Sequence, residues 1–283
     1  MTSDHIRHSV FPPADRDVAA VERLPSTPQT ENAAYRLAFR DVDFLMRDEL
    51  RPVRLQLELL KVEMAMNERE IDSTVVLFGG ARIRPPGLAP ADRPGMAALS
   101  HFYEEARRFA KLASEESLRR GGREFVIVTG GGPGVMEAGN RGAHEAGAQS
   151  IGLNIMLPHE QAPNGWVTPD LSFNFHYFAI RKMHFLMRAA AVAVFPGGFG
   201  TLDELFETLT LIQTRRMAPM PVVLFGEAFW RKVVNFEALI EAGTIAPEDL
   251  NLFHFCETAE DAWAYVSRLC GVGESAGRSA AAG

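Results

Sequence analysis

The stretch Ala191-Val192-Ala193-Val194-Phe195-Pro196-Gly197-Gly198-Phe199-Gly200-Thr201-Leu202-Asp203-Glu204 decides the fold. Its first five residues are an unbroken apolar run. That is the pattern of a strand buried on both faces, as in a parallel sheet, and not the alternation of a half-exposed one. Glycines follow at once, and glycine after a strand lets the chain turn sharply and approach a ligand closely. An amphipathic helix then begins, predicted over 202–216. The unit therefore reads strand, tight turn, helix.

The same unit recurs upstream. Phe125–Thr129 is a second apolar run, followed by Gly130-Gly131-Gly132-Pro133-Gly134 and a helical pattern over 134–147. Thr74–Phe78 leads into Gly79-Gly80, and further strands are predicted at Gln149–Ile155 and Pro221–Phe225. Helices are expected at about 98–120, 177–189 and 227–242. Strands alternating with helices imply a parallel sheet covered on both faces. The fold class is thus α/β, a Rossmann-like parallel sheet with helices on both faces plus an N-terminal helical extension. Pro12, Pro13, Pro25 and Pro28 mark residues 1–30 as a polar, flexible tail. The pattern is helical over 31–71, with Pro52 near the start of a second helix. The sheet domain is placed at 72–270, and the Gly-, Ser- and Ala-rich end, 271–283, reads as another tail. No internal repeat is evident.

In an open parallel sheet, ligands bind beyond the carboxyl ends of the strands, where these glycines fall. A helix start presents unpaired N–H groups and a favourable dipole to an anion. The dinucleotide G-x-G-x-x-G pattern fails, because Val135, Glu137 and Asp203 occupy the would-be last positions. No Gly-Lys pair exists for a P-loop, H-E-x-x-H does not occur, and no strand leads into a G-x-S-x-G elbow, the match at Gly273–Gly277 falling in the Gly-, Ser- and Ala-rich end. A mononucleotide is the natural remaining ligand. Thr201-Leu202-Asp203-Glu204 admits two readings. It can be a capping box, with Thr201 capping the helix and Glu204 reaching back. Alternatively Glu204 is a catalytic carboxylate beside a bound phosphate, with cations nearby to offset the repulsion. Arg181-Lys182 could supply them. Arg181, His184 and Arg188 share a helical face by spacing, either a solvated basic face or part of a site. Met183, Phe185 and Met187 read as core.

Bulk properties narrow the classes. The 283 residues carry a formal net charge of −7 and are 47% hydrophobic, enough for one large α/β core and opposed to a nucleic-acid partner. Cys256 and Cys270 are too few for a disulfide framework or a metal centre. No signal peptide opens the sequence and no apolar run is long enough for a bilayer, so a cytoplasmic protein without a membrane partner is expected. The apolar stripes of the 31–70 helices point to a homo-oligomer.

Phe195–Glu204 resembles the PGGxGTxxE signature of the LOG ("lonely guy") family of phosphoribohydrolases. Arg181-Lys182 is similar to that family's RK pair, with Phe178-Ala179-Ile180 in place of its Met-His-x. Gly130–Met136 is similar to its GGGxxGLM turn. The similarity covers about residues 72–270, and the helical segment 31–70 with the 82–95 loop resembles the longer bacterial branch. The resemblance implies hydrolysis of the N-glycosidic bond of a nucleoside 5'-monophosphate, either AMP or a cytokinin nucleotide, with no cofactor and no metal. It does not support the name lysine decarboxylase often given to relatives, since no lysine here has an evident pyridoxal-phosphate setting. Under it Glu204 and Arg181 are the catalytic pair. Glu204 stabilises the oxocarbenium-like transition state and handles water, and Arg181 orients Glu204 and the ribose phosphate. The 5'-phosphate is expected on the amides of Gly197, Gly198, Phe199, Gly200 and Thr201, with the Thr201 hydroxyl. Lys182, Glu160, Thr210, Gly131 and Gly132 are the further substrate-side candidates. A non-catalytic nucleotide-binding module and a transferase using another acceptor are the competing readings.

Overall fold

All five anticipated apolar runs form strands in the computed structural model, which describes residues 12–88, 94–157 and 162–272. The strands are β1 (Thr74–Phe78), β2 (Val126–Thr129), β3 (Ser150–Ile155), β4 (Ser172–Phe175), β5 (Ala189–Val194), β6 (Val222–Phe225) and β7 (His254–Cys256). They make one sheet in the order β4-β3-β2-β1-β5-β6-β7, and every neighbouring pair is parallel. The two edge strands, β4 and β7, were not anticipated. β4 alternates Ser172 and Asn174 with buried Phe173 and Phe175, and β7 has three residues. Neither makes the continuous apolar run that identifies an interior parallel strand.

Successive strand residues enter opposite cores. Val75, Leu77, Ile127, Ala191, Ala193, Phe195, Val223 and Phe225 belong to one, and Val76, Phe78, Val126, Val128, Val192, Val194, Val222 and Leu224 to the other. This period of two, with both faces covered, explains why the strands are apolar throughout.

Two compact units divide between Leu57 and Glu58. In the first, α1 (Ala14–Val21) lies within the stretch read as a tail. The expected long helix from residue 31 is instead a series of 3-10 turns and the four-residue α2 (Val42–Leu45). Asn32 and Asp41 accept from the N–H groups of Ala34 and Phe44, local caps that favour short turns over one helix. Helix α3 (Arg51–Glu68) follows, with Pro52 at its start as expected.

In the second unit the last turns of α3 bury Val62 and Met66. The unit continues with α4 (Pro94–Leu99), α5 (His101–Arg119), α6 (Val135–Glu145), α7 (Phe178–Leu186), α8 (Phe199–Gln213), α9 (Glu227–Val233), α10 (Phe236–Glu241) and α11 (Ala259–Leu269). Helices α5, α6 and α11 cover one face, while α7 to α10 and the end of α3 cover the other. The single helix expected at 227–242 is two, separated at Val234-Asn235, where the Asn235 side chain caps the second. The chain winds from β1 toward β4 on one side and from β5 toward β7 on the other. The β1/β5 boundary is therefore the topological switch point, where a ligand crevice is expected.

Candidate active site

The main-chain ladder runs on past both switch-point strands. The Phe195 N–H donates to Phe78 O at 2.8 Å and the Gly80 N–H to Pro196 O at 2.9 Å. The turns after β1 and β5 are thereby held side by side. A cleft of about 920 Å³ opens over them.

Helix α8 starts at Phe199 with Gly198 at the N-cap, and no side chain caps it. The capping-box reading is therefore overturned. Thr201 and Glu204 already lie inside the helix, and the Leu202 N–H reaches back to Gly198 O at 3.0 Å. The N–H groups of the first turn have no intrahelical acceptor by helix geometry. Gly198 and Gly200 face open space, and Phe199 is 93% exposed. The Thr201 side chain folds over Gly197, where a Cβ would clash with it. This glycine turn is an open cradle for an anion.

The turn before α6 differs. Gly134, at φ +71°, presses on the backbone of Gly80 and Ala81, and the Val135 N–H donates to Gly80 O at 3.3 Å. The start of α6 is plugged by the β1 turn, so α8 rather than α6 presents its N-terminus to a ligand.

One turn inside α8, Glu204 lines the cleft while only 8% exposed. Its Oε2 has no hydrogen-bond partner among the described residues. Burial pushes its pKa from the ordinary 4.5 to about 7; Lys182 and Arg181 pull it down, and Glu207 and Asp203 add to the rise. A carboxylate kept partly protonated near neutrality by a dry setting suits proton transfer.

Arg181 also lines the cleft. Its Nε donates to Leu153 O at 2.7 Å, and its guanidinium lies 5.1 Å over the Phe185 ring. Lys182, a substrate-side candidate, turns instead to α8, 3.0 Å from both Asp203 Oδ1 and Glu207 Oε2. Burial works against its charge, but the two carboxylates more than offset this and raise its pKa. Its charge reaches the site through the field on Glu204.

The basic face anticipated on α7 is not a solvated one. His184 is buried, with Nδ1 3.6 Å from Glu63 Oε1, and burial lowers its pKa. Arg188 bonds to Glu63 and Asn67, each at 2.8 Å, and to the Ile71 carbonyl. Of the expected core residues, Phe185 is buried, but Met183 and Met187 are exposed.

Gly132 lines the cleft, whereas Gly131 lies behind it, with φ +73° and Asn154 packed against its Cα. Thr210 sits on the exposed side of α8, its hydroxyl bonded to Phe206 O at 2.7 Å, away from the cleft. Glu160 lies outside the described residues. Sequence reasoning missed Arg82, Asn154 and Asn174 on the cleft wall. Arg82 follows the Gly79-Gly80 turn, so its place just after a strand was the available signal. The other two asparagines sit within strand sequence that gives none. Both cysteines are remote, and burial raises the Cys256 thiol to about 11. Among the described residues no cluster of three or more His, Cys, Asp or Glu could hold a metal ion, and no helix is long and apolar enough to cross a membrane.

Residues 136–266 match the family described as possible lysine decarboxylase. The matched segment contains Arg181, Lys182 and the Pro196–Glu204 stretch. A cytokinin riboside 5'-monophosphate phosphoribohydrolase of Arabidopsis thaliana is 26% identical over 144 residues, 49% of this chain and 65% of that protein. A protein of Oryza sativa subsp. japonica named as a probable enzyme of the same kind is 26% identical over 140 residues, 48% of this chain and 55% of that one. The matches thus span less than two thirds of either relative. The molybdenum cofactor binding protein of Rippkaea orientalis overlaps at a TM-score of 0.45, with 18% identity, 70% of this chain and 96% of that one. The molybdenum cofactor carrier protein of Chlamydomonas reinhardtii overlaps at 0.44, with 20% identity, 71% and 99%. The LOG-family resemblance read from the motifs is borne out by the family match and the two plant relatives.

Proposed function

We propose that this LOG-type protein hydrolyses the N-glycosidic bond of a nucleoside 5'-monophosphate, with AMP as the first candidate substrate and a cytokinin nucleotide as the second. The products are the free base and ribose 5-phosphate. The observation that carries the reading is Glu204, a buried carboxylate with an oxygen unpartnered among the described residues, one turn inside the helix whose open amides suit a phosphate. Binding phosphate alone requires no buried carboxylate, and an unpaired one opposes folding.

The phosphate rests on the amides from Gly198 to Thr201 and fixes the ribose in the cleft. As the C1'–N bond breaks, its electron pair leaves with the base and positive charge develops on the sugar. The Glu204 carboxylate stabilises that charge and takes a proton from the water whose oxygen bonds to C1', and a proton returned to the departing base nitrogen leaves the base neutral and Glu204 ionised again. Arg181 keeps Glu204 and the sugar in register, and Lys182 holds α8 against α7 through Asp203 and Glu207.

The deciding experiment is incubation with a panel of nucleoside monophosphates and chromatography for free base and ribose 5-phosphate. A panel left intact favours a nucleotide-binding module. Transfer to another acceptor is tested by adding a second base and looking for exchange. The proposal extends to a cytoplasmic homo-oligomer. Leu60 and Met64 on α3, Met183 on α7 and Met187 just after it are exposed apolar residues, and light scattering at micromolar concentration should give at least a dimer mass.

A further inference from the structure

Behind the Gly130–Gly134 turn lies a polar network. Asn164 holds the Gly131 carbonyl twice, through its backbone N–H at 2.8 Å and its Nδ2 at 3.1 Å. The same Nδ2 lies 3.0 Å from Gly132 O and 2.9 Å from Asn140 Oδ1. Asn140 is fully buried; it accepts from the Thr129 hydroxyl at 2.7 Å and donates to Ser150 Oγ at 3.0 Å. Thr129 Oγ1 in turn accepts the Gly131 N–H at 3.0 Å. The Asn164 Oδ1 accepts the Trp166 N–H at 3.1 Å, which fixes the amide's orientation.

These bonds set the direction of one peptide group. In a trans peptide the carbonyl of one residue and the N–H of the next point opposite ways. With the Gly131 carbonyl drawn back to Asn164, the Gly132 N–H points away from the network. Gly132 lines the cleft, while Gly131 and Asn164 do not. Gly132 is buried, and its N–H has no acceptor among the described residues. A buried, unpaired main-chain donor is rare and costly unless a ligand completes it.

We infer that Asn164 is a positioning residue that aims the Gly132 N–H into the cleft as a hydrogen-bond donor to a ribose hydroxyl of the bound nucleotide. The inference rests on the proposed nucleotide-cleaving function and deepens it. The choice of the ribose follows from topology. β2 and β5 flank β1, so the Gly132 turn and the α8 cradle stand two strand spacings, about 10 Å, apart. With the phosphate on the open amides of α8, the sugar hydroxyls are the part of the nucleotide that extends toward the β2 turn. An oxygen acceptor there satisfies the Gly132 N–H.

The test compares AMP with 2'-deoxy-AMP and 3'-deoxy-AMP in the wild-type protein, Asn164→Ala and Asn164→Asp. Removing a hydroxyl changes the intrinsic lability of the glycosidic bond. That factor is common to all three proteins and cancels when the AMP/deoxy ratios of kcat/KM are compared between them. For at least one of the two hydroxyls the ratio should fall about tenfold or more in both variants, because a mis-aimed donor no longer distinguishes the two substrates. The loss should fall on AMP and leave the deoxy substrate nearly unchanged. A structural role alone would lower both rates together. Ratios unchanged in folded variants overturn the inference while leaving the hydrolase reading intact. If neither variant folds, the wild-type protein decides by calorimetry: weaker binding of a deoxy nucleotide than of AMP supports the inference, and equal binding of all three overturns it. A wild-type protein that binds AMP without cleaving it loses the hydrolase reading only, and the same affinity ratios then judge Asn164. One that neither binds nor cleaves AMP removes both.

Discussion

The guanidinium of Arg181 occupies the place that a side chain on Gly130 would need: a Cβ there would lie 2.6 Å from Arg181 Nη2 and 2.8 Å from Met136 Sδ. The first glycine of the β2 turn is therefore a seat for the arginine of α7. Gly130→Ala should leave the fold intact at a cost of about 1–3 kcal/mol, since the Gly130 backbone needs no positive φ. It should also displace Arg181 and lower kcat/KM for AMP by about tenfold or more. Circular dichroism melts and rates on the same samples check this. Full activity would mean that Arg181 does not have to sit where it is found.

Glu204→Gln and Arg181→Ala should each cost about a hundredfold or more in turnover while remaining folded, as expected on removing a group that stabilises developing charge. The Glu204 carboxyl, raised to about 7 by burial, should leave a mark on the pH profile. If the carboxylate is the working form, kcat/KM rises with pH by about tenfold per unit below the pKa and levels off above it. A profile flat from pH 5 to 8 would remove Glu204 from proton handling.

The same carboxyl predicts an unusual stability trend. Its folded pKa lies above the unfolded one, so the native state binds the proton more tightly. The contribution is fully present below about pH 4.5, declines as pH rises, and is lost above about pH 7. The span is on the order of 3 kcal/mol. Glu204→Gln, which cannot ionise, should therefore be more stable than the wild type at pH 8, with the advantage shrinking toward pH 5. Denaturant titrations at the two pH values test it, and a variant less stable at pH 8 would show that the charged form is well solvated.

Dependence on the 5'-phosphate should be strong. Adenosine lacks the group that the open α8 amides are arranged to meet, and a site built for a polar group can reject an analogue without it by about 10⁴-fold. The phosphate is remote from the breaking bond, so the loss should appear in kcat as well as KM. Inorganic phosphate should inhibit AMP cleavage competitively. Equal kcat/KM for adenosine and AMP would show that the turn at Gly197–Thr201 only seats its helix.

Much of the site was legible because its chemistry lies in local sequence. The glycine turns after β2 and β5, the Pro196–Glu204 signature and the Arg181-Lys182 pair were identifiable one by one. What each does depended on neighbours far away in the chain. The spacing of Thr201 and Glu204 fits a capping box. It is the entry of α8 three residues earlier, at Phe199, that moves both side chains into the helix body and Glu204 into the cleft. Lys182 reads as a phosphate ligand until Asp203 and Glu207 claim it.

By itself the sequence determined the parallel α/β architecture, because continuous apolar runs can be satisfied only by a sheet covered on both faces. It also determined the glycine turns at the strand ends, because glycine punctuation is local. Only the tertiary structure decided which helix start stays open, since the β1 turn plugs α6 and leaves α8 free. It also decided the protonation of Glu204, which depends on how completely water is excluded from one carboxyl. It decided as well the direction of the Gly132 N–H, set by Asn164 from a loop 32 residues further along. Desolvation and hydrogen-bond direction depend on groups brought together from distant parts of the chain, and no local pattern encodes them.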